Sequence, residues 1–168
     1  MERKDIAQQL KWKTEDVFES DEAWETEFKA VEEKYGNYDY TVFYNKLGDK
    51  QTLLNCFKLG DELSRRLELL YLYAHLCNDV DLRDSANGAR AARIQALYSK
   101  LSAQLSFIDP QLTALSEDTL NAFIADPDFA DYDYRLKRVA ASKAHVLSEG
   151  EERLLALSSD VMGDFQSV

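Results

Sequence analysis

The residues in this chain that come closest to a reactive cluster are His75, Cys77, Asp79 and Asp81, which follow one another at every second position. Imidazole, thiolate and carboxylate groups bind metals and carry protons. Residues two apart on a helix nevertheless point to different faces, so this run is a poor chelating group. We therefore expect structural roles for these side chains, with a metal site as the minor alternative.

His75 and His145 are the only histidines. A zinc hydrolase of the H-E-x-x-H type needs two histidines one turn apart, and a di-iron bundle needs E-x-x-H, whereas Leu72 and Ser142 stand three positions before the two histidines. We predict no metal or cofactor in this chain itself and assign it no catalytic, cofactor-binding or metal-ligating residue. For His145 we expect a local backbone contact, with substrate contact as the alternative.

Two other polar or aromatic groups have alternative interpretations. The acidic stretch DPDFADYD lacks the turn glycine and final glutamate of a calcium loop, so we expect a solvated acidic loop. The aromatic cluster could line a peptide channel, but we expect it to pack under neighbouring helices; its members are Tyr38, Tyr40, Phe43 and Tyr44. Cys56 and Cys77 fall within a helical pattern, which favours reduced core thiols over a disulfide or a metal role.

The elements that must position these residues are all helices. Ser20 before two acidic residues predicts a helix over about Asp21–Tyr35, ended by a left-handed residue at Gly36-Asn37. A second helix is predicted over about Lys50–Asn78, ~42 Å long. Its apolar seam alternates spacings of three and four and runs through Leu53, Cys56, Gly60, Leu63, Leu67, Leu70, Ala74 and Cys77.

A third helix is predicted after the polar break NDVDLRD, and it should return along the second as an antiparallel hairpin. Its seam runs through Ala91, Ile94, Tyr98, Leu101, Leu105 and Ile108, and the small residues at its start should allow close backbone approach: Ala86, Gly88, Ala89 and Ala92. Beyond Pro110 we expect three shorter helices. Ser116 caps the first, DFADYDYRLKRVAASK makes the second, and Ser148 with Glu151 forms the capping box of the third. The predicted fold is an all-α, elongated helical bundle lobe.

Composition excludes several classes of function. The chain has 168 residues, 45% of them hydrophobic, which suits a folded domain. Its formal net charge of −11 disfavours nucleic acid and anionic membranes as partners. No signal peptide or spanning segment is encoded, so we expect a cytoplasmic protein.

Three stretches of the sequence resemble the oligoendopeptidase F family. The stretch LKWKTEDVFESDEAWETEFKAVEE resembles the family's opening, and LELLYLYAHLCNDVD resembles its long helix before an Asp-containing loop. The third stretch, YRLKRVAASKAHVLSEGEERLLAL, resembles the pattern R-x-K-x-H-x-L-S-E-x-E-E-x-L-L-A. Matching positions are Lys143, His145, Leu147, Ser148, Glu149, Glu151, Glu152, Leu154, Leu155 and Ala156. The resemblance covers essentially all 168 residues.

This resemblance implies a zinc metallo-oligopeptidase that cleaves short peptides, related to thimet oligopeptidase. Residues 1–168 would form a single helical N-terminal module, with a long-helix lobe over about 1–110 and shorter helices over about 111–168. The catalytic zinc domain, with H-E-x-x-H and a further Glu ligand, would lie beyond residue 168 and be the module's own partner. The parent would use zinc and oligopeptide substrates, while this fragment alone would be inactive. A stand-alone helical adaptor, or an enzyme with an unfamiliar site, remains the alternative.

Overall fold

The computed structural model describes residue 7 and residues 12–143. In these residues the chain forms six α-helices, α1 to α6, and three short 3-10 helices. The α-helices are Asp21–Gly36, Lys50–Val80, Ser85–Leu105, Ile108–Ala114, Glu117–Ala125 and Asp133–Lys143. The 3-10 helices are Thr14–Asp16, Tyr40–Phe43 and Pro127–Tyr132. No strand occurs in this part of the chain, and the predicted all-α class is confirmed.

The chain divides into two compact units between Gln111 and Leu112. The first unit is built on α1, α2 and α3, and the second on α5, the 3-10 helix Pro127–Tyr132 and α6. The division predicted from sequence, a long-helix lobe over about 1–110 and shorter helices over about 111–168, stays a prediction. The predicted elongated shape also stays a prediction.

Local signals set the ends of α1. The Ser20 hydroxyl accepts a hydrogen bond from the amide of Ala23 at 3.2 Å, so the predicted cap is confirmed. The predicted left-handed end is wrong, because Gly36 completes the helix and Asn37 follows with φ −114°. A left-handed backbone conformation occurs further on, at Asn45, whose φ is 58°. The amide of Asn45 donates to Gln111 Oε1 at 2.8 Å. Asparagine tolerates this conformation better than most residues.

Helix α2 has 31 residues and begins one residue after Asp49, whose carboxylate accepts from the amide of Thr52 at 2.9 Å. Its predicted seam is largely confirmed, since Leu67 and Leu70 are buried. Other buried members are Leu53, Cys56, Leu63 and Ala74. Gly60 and Cys77 are only half-buried.

Helix α3 follows after a four-residue connection, Asp81 to Asp84. Asn87 Nδ2 donates to the Cys77 carbonyl at 3.2 Å near this connection, and the rings of Tyr71 and Tyr98 lie 6.3 Å apart further along. The two helices therefore run side by side in opposite directions.

One prediction for α3 is wrong. Tyr98 is 49% exposed, and the neighbouring Leu97 takes the buried position. The close backbone approach expected at the start of α3 stays a prediction; at Gly88 an added Cβ would meet only Asn78 Oδ1, at an ordinary 3.7 Å. The small residues therefore leave open surface beside the helix.

The core of the first unit joins α1, α2 and α3. The largest α1 contributors, Trp24 and Phe28, stack with ring centroids 5.0 Å apart, and Trp24 Nε1 donates to the Leu70 carbonyl at 2.9 Å. Other members are Val31, Tyr35, Leu63, Leu67, Tyr73, Ala74, Ile94, Leu97 and Leu101. The hydrogen bond from the Trp24 indole joins α1 to α2, and the same side chain is buried in the core. Hydrogen bonding and burial therefore favour the same position of α1 along α2.

The second unit has its own buried side chains. Ser116 accepts from the amide of Thr119 at 3.1 Å, which confirms it as the cap of α5. The stretch predicted as an acidic loop is instead a 3-10 helix, because Phe129 turns inward and packs on Phe123 at 5.0 Å. Leu112, Leu120 and Leu136 are also buried. The predicted capping box at Ser148 lies outside the described residues.

Helix α4 is not among the predicted helices: the predicted seam of the third helix runs on to Ile108, whereas α3 ends at Leu105 and Ile108 begins α4. Proline is tolerated in the first turn of a helix, where its missing amide has no partner to lose, and Pro110 is the third residue of α4.

Among the described helices, none has both the length and the apolar character needed to cross a membrane.

Candidate functional site

A polar cluster of the first unit lies where α1 meets α3. Arg90 Nη2 is 2.5 Å from Asp21 Oδ2, and the hydroxyl of Tyr73 donates to Asp21 Oδ1 at 2.8 Å. Arg90 Nη1 also donates to Asn87 Oδ1 at 2.8 Å, and its guanidinium carbon lies 5.6 Å from the ring of Trp24. Arg90 is nearly buried, whereas Asp21 keeps half of its side chain in solvent, so the buried cation has a solvated partner.

A second ion pair lies one helical turn further along. Arg93 donates twice to Glu25, at 2.7 and 3.0 Å, and its guanidinium carbon lies 4.3 Å above the ring of Phe28. The hydrogen bond from Arg93 is the main reason why the pKa of Glu25 is lowered. The two pairs connect α1 to α3 at matching intervals, since Asp21 and Glu25 are four apart and Arg90 and Arg93 three apart.

An open groove of about 580 Å³ follows these pairs. Its lining consists of Asp21, Glu22, Glu25, Thr26, Ala86, Ala89, Arg90 and Arg93. A smaller groove of about 290 Å³ shares Arg93 with it and continues past Lys100. Alanines on α3 keep these grooves open, while the Arg–carboxylate pairs cross the larger groove and already satisfy one another's charges.

Two groups of the polar cluster have pKa values shifted away from neutral pH. Burial, followed by the hydrogen bond to Asp21, raises the pKa of Tyr73, so its phenol stays protonated at neutral pH. The carboxylate of Glu25 stays ionised, since its pKa is lowered. At neutral pH Tyr73 and Glu25 therefore keep the protonation states that their hydrogen bonds require, and the cluster stabilises the packing of α1 on α3.

The residues singled out in the sequence do not come together as a reactive centre. The His75 ring stacks on Tyr71 at 4.0 Å, and its Nε2 atom is buried without a hydrogen-bond partner. Burial raises the pKa of the Cys77 thiol, which makes it a poor nucleophile. Asp81 pairs with Arg83 at 3.1 Å, and Asp79 faces solvent. Within residues 12–143 no three His, Cys, Asp or Glu side chains are grouped to hold a metal ion.

The aromatic cluster mainly serves packing. Tyr40 and Phe43 are buried, and burial raises the pKa of Tyr40 to about 12 while its hydroxyl donates to the Tyr35 carbonyl at 3.1 Å. Tyr44 is partly exposed and packs on Phe107 at 4.4 Å. These contacts favour the packing interpretation over a channel lining. His145 lies outside the described residues.

Sequence reasoning missed the pairs of Arg90 and Arg93 with α1. The available signal was two arginines three apart on α3, in a stretch otherwise rich in alanine, facing carboxylates four apart on α1. It identifies matching faces only after the packing of the two helices is known.

The fold and this cluster define a helical module that offers surfaces rather than a reactive centre in its described part. A family model and several known proteins are similar to this chain, and their names point to the same family of peptidases. The family model described as Oligopeptidase F matches residues 111–168. The chain is 36% identical over 162 residues to group B oligopeptidase PepB of Streptococcus agalactiae, covering 96% of this chain and 27% of that protein. It is 32% identical over 164 residues to oligopeptidase PepF of Bacillus subtilis, covering 96% of this chain and 24% of that protein.

Two solved structures share the fold. Oligoendopeptidase-F from Enterococcus faecium aligns with a TM-score of 0.55 at 28% identity, over 88% of this chain and 26% of that one. A protein from Chlamydophila abortus aligns with a TM-score of 0.79 over 94% of this chain and 27% of that one, and at 24% identity this likeness concerns the fold alone. The chain belongs to the oligoendopeptidase F family, of which it is an N-terminal region, as its resemblance predicted. It spans about a quarter of the length of the curated relatives that it matches.

Proposed function

We propose that this chain is the N-terminal, channel-forming and substrate-restricting part of a zinc-dependent oligoendopeptidase that hydrolyses short peptides. The observation that supports this most is the similarity to two named oligopeptidases over 96% of the chain but only 27% and 24% of their lengths. Action in the cytoplasm, without nucleic acid or membrane as partners, belongs to the same proposal.

In this proposal the module works through shape. A wall of packed helices beside a reaction chamber admits a flexible peptide and excludes a folded protein, and it keeps bulk water from the reacting atoms. Such a wall must resist deformation. The two Arg–carboxylate pairs between α1 and α3, and the Trp24 bond to α2, provide that resistance through side chains on three helices.

The described residues do not fit a catalytic zinc ion. His75 is the one histidine among them, and its ring is stacked on Tyr71 with Nε2 buried. Zinc in a hydrolase needs about three protein ligands and an open position. We therefore assign the zinc ligands and the reacting groups to parts of the parent enzyme outside this chain.

The test is made on the protein encoded by the complete reading frame. We expect chelator-sensitive cleavage of short quenched fluorescent peptides, falling as the substrates lengthen and vanishing for a folded protein. The same folded protein, reduced and cut into short fragments, is the matched control and should be cleaved. A reading frame that ends near Val168 without any turnover would instead favour the helical adaptor. Equal cleavage of long and short chains would contradict the substrate-restricting role alone.

A further inference from the structure

One segment of α2 consists of leucine, tyrosine, alanine and a single histidine around its whole circumference. Residues 69–76, LLYLYAHL, carry no Asp, Glu, Lys or Arg. A helix that is apolar on all sides is normally buried on all sides. The adjoining turns of α2 do not share this property, since Arg65, Arg66 and Glu68 precede the segment and Asp79 follows it.

Only the inner half of this segment is covered. Leu70, Tyr73 and Ala74 are buried in the core with α1 and α3. On the other side Leu69 is 45% exposed and Leu72 46% exposed, and their i, i+3 spacing places them on one face. The structure therefore contains a half-buried helix segment whose composition suits complete burial.

Two tyrosines extend this surface onto α3. Tyr71 is partly exposed and stacks on His75 at 4.0 Å, and Tyr98 of α3 lies 6.3 Å from Tyr71. Leu69 and Leu72 lie on one side of the exposed half of α2, and Tyr71 lies on its other side, next to α3. We call this exposed half, made of Leu69, Tyr71 and Leu72 together with Tyr98, the outer apolar face. Exposed leucines and tyrosines gathered on one half of a helix segment are typical of a contact surface.

We propose that the outer apolar face is the surface on which the remaining part of the same protein packs, through an apolar patch of its own. This inference rests on the proposed function, which makes the chain one part of a longer enzyme. About three quarters of the relatives' length lies outside the matched region, so a large amount of covalently linked chain is available to cover it. A linked segment also has a high effective concentration at this surface.

Charge argues against the other occupants. Two copies of a chain with a formal net charge of −11 repel each other, which opposes a self-associated pair. The same charge opposes an anionic lipid surface. Among the described residues, no neighbouring element covers Leu69 or Leu72 to the extent seen for Leu70.

The test is hydroxyl-radical footprinting of the full-length enzyme, with each side chain's rate normalised to that of the same protein unfolded in denaturant. We expect Leu69, Tyr71 and Leu72 to be oxidised as slowly as the buried Tyr35. Oxidation several-fold faster than that of Tyr35 would overturn the inference. Protection that disappears on dilution would also overturn it, because it would identify a second copy as the occupant.

A pair of variants gives an independent measurement. Leu72→Glu in the full-length enzyme places a charge within the proposed contact and should lower the melting temperature and release Leu69 and Tyr71 to oxidation. Ser99→Glu adds the same charge at an exposed position of α3 outside the face and should change neither. Identical footprints for the two variants would contradict the proposal, and if Leu72→Glu fails to fold the wild-type footprint still decides.

Failure of this inference can be told apart from failure of the proposed function. Normal peptide turnover with a freely oxidised outer apolar face overturns the contact and leaves the peptidase proposal intact. A protected face in a protein without peptide turnover supports the contact and overturns the peptidase proposal.

Discussion

At the scale of single residues, the first unit depends on charges placed next to aromatic rings. Arg90 lies near both Trp24 and Tyr73, each with its ring centroid 5.6 Å from the guanidinium carbon, while its carboxylate partner stays in contact with solvent. Arginine suits this position because its guanidinium is planar and more weakly hydrated than an ammonium group. The pair thus orients α1 on α3 without the full desolvation cost of two buried charges.

The Glu25–Arg93 pair gives a pH-dependent prediction. The pKa of Glu25 is lower in the folded protein than in the unfolded chain, where a glutamate has a pKa of ~4.3. The stabilisation from the pair is therefore fully present above pH ~4.3 and is lost as the pH falls through the lower folded pKa. Because both side chains are partly exposed, we expect Glu25→Gln to reduce the free energy of unfolding by at most ~1 kcal/mol at neutral pH. Urea unfolding of variant and wild type should converge in acid.

Glu33→Gln is the matched control, since Glu33 lies exposed on the same helix and no ion pair involving it is found in the described part of the chain. It should leave the difference between neutral and acidic pH unchanged. A Glu25→Gln effect that persists undiminished in acid would rule out the ion pair as its origin.

At the scale of elements, the corrected register of α3 can be tested directly. Leu97 is 4% exposed, so Leu97→Ala should cost ~2–5 kcal/mol through lost burial and the cavity left behind. Tyr98→Ala should cost under about 1 kcal/mol in the 168-residue chain, because the side chain is half in solvent there. Thermal or urea unfolding measures both losses of stability. A larger loss for Tyr98→Ala than for Leu97→Ala would support the seam predicted from sequence, in which Tyr98 is the buried residue.

The end of α6 provides a second prediction at this scale. The Lys143 ammonium donates to the carbonyls of Thr113, at 2.8 Å, and Leu115, at the end of α4. Lys143→Met should therefore destabilise the second unit, by at most the ~1.5–3 kcal/mol typical of a charged hydrogen bond. Amide exchange of residues 112–143 should quicken.

Lys137→Met is its control, because the one contact found for Lys137 in the described part of the chain is its surface pair with Asp133, at 2.8 Å. An i, i+4 pair of this kind is worth ~0.3–0.5 kcal/mol. Equal exchange rates in the two variants would show that the carbonyl contacts of Lys143 contribute nothing beyond a surface charge.

Features that depend on neighbouring residues could be predicted from the sequence, and features that depend on residues far apart in the chain could not. Ser20 and Ser116 act within one helical turn, so both helix starts were found. The seam of α3 failed at one position, because Leu97 and Tyr98 are both apolar and spacings of three and four suit either. The Arg90–Asp21 pair joins residues far apart in sequence, so it depends on the packing of α1 on α3 and has no local signature.

At the scale of the whole molecule, the described part of the chain combines well-packed helices with surfaces that suit contact and without a grouped set of metal ligands. That combination is compatible with the proposed role as one part of a larger peptidase. Family membership itself was predictable from sequence, because the stretches that carry it extend along the whole chain. The geometry of the proposed contact with a further domain was not, since the residues of that domain are not in this sequence.

This view predicts that the purified 168-residue chain is helical, hydrolyses no peptide and binds no stoichiometric zinc. A hydrolytic zinc ion needs about three protein ligands, an open water position and supporting hydrogen bonds, whereas the chain has only His75 and His145 and no H-E-x-x-H. The measurements are turnover of a quenched fluorescent oligopeptide with added zinc and metal analysis after dialysis, with the full-length enzyme as the positive control. Chelator-sensitive turnover that stays with the 168-residue chain through several columns would place the reacting groups inside it, and would overturn their assignment to the rest of the enzyme.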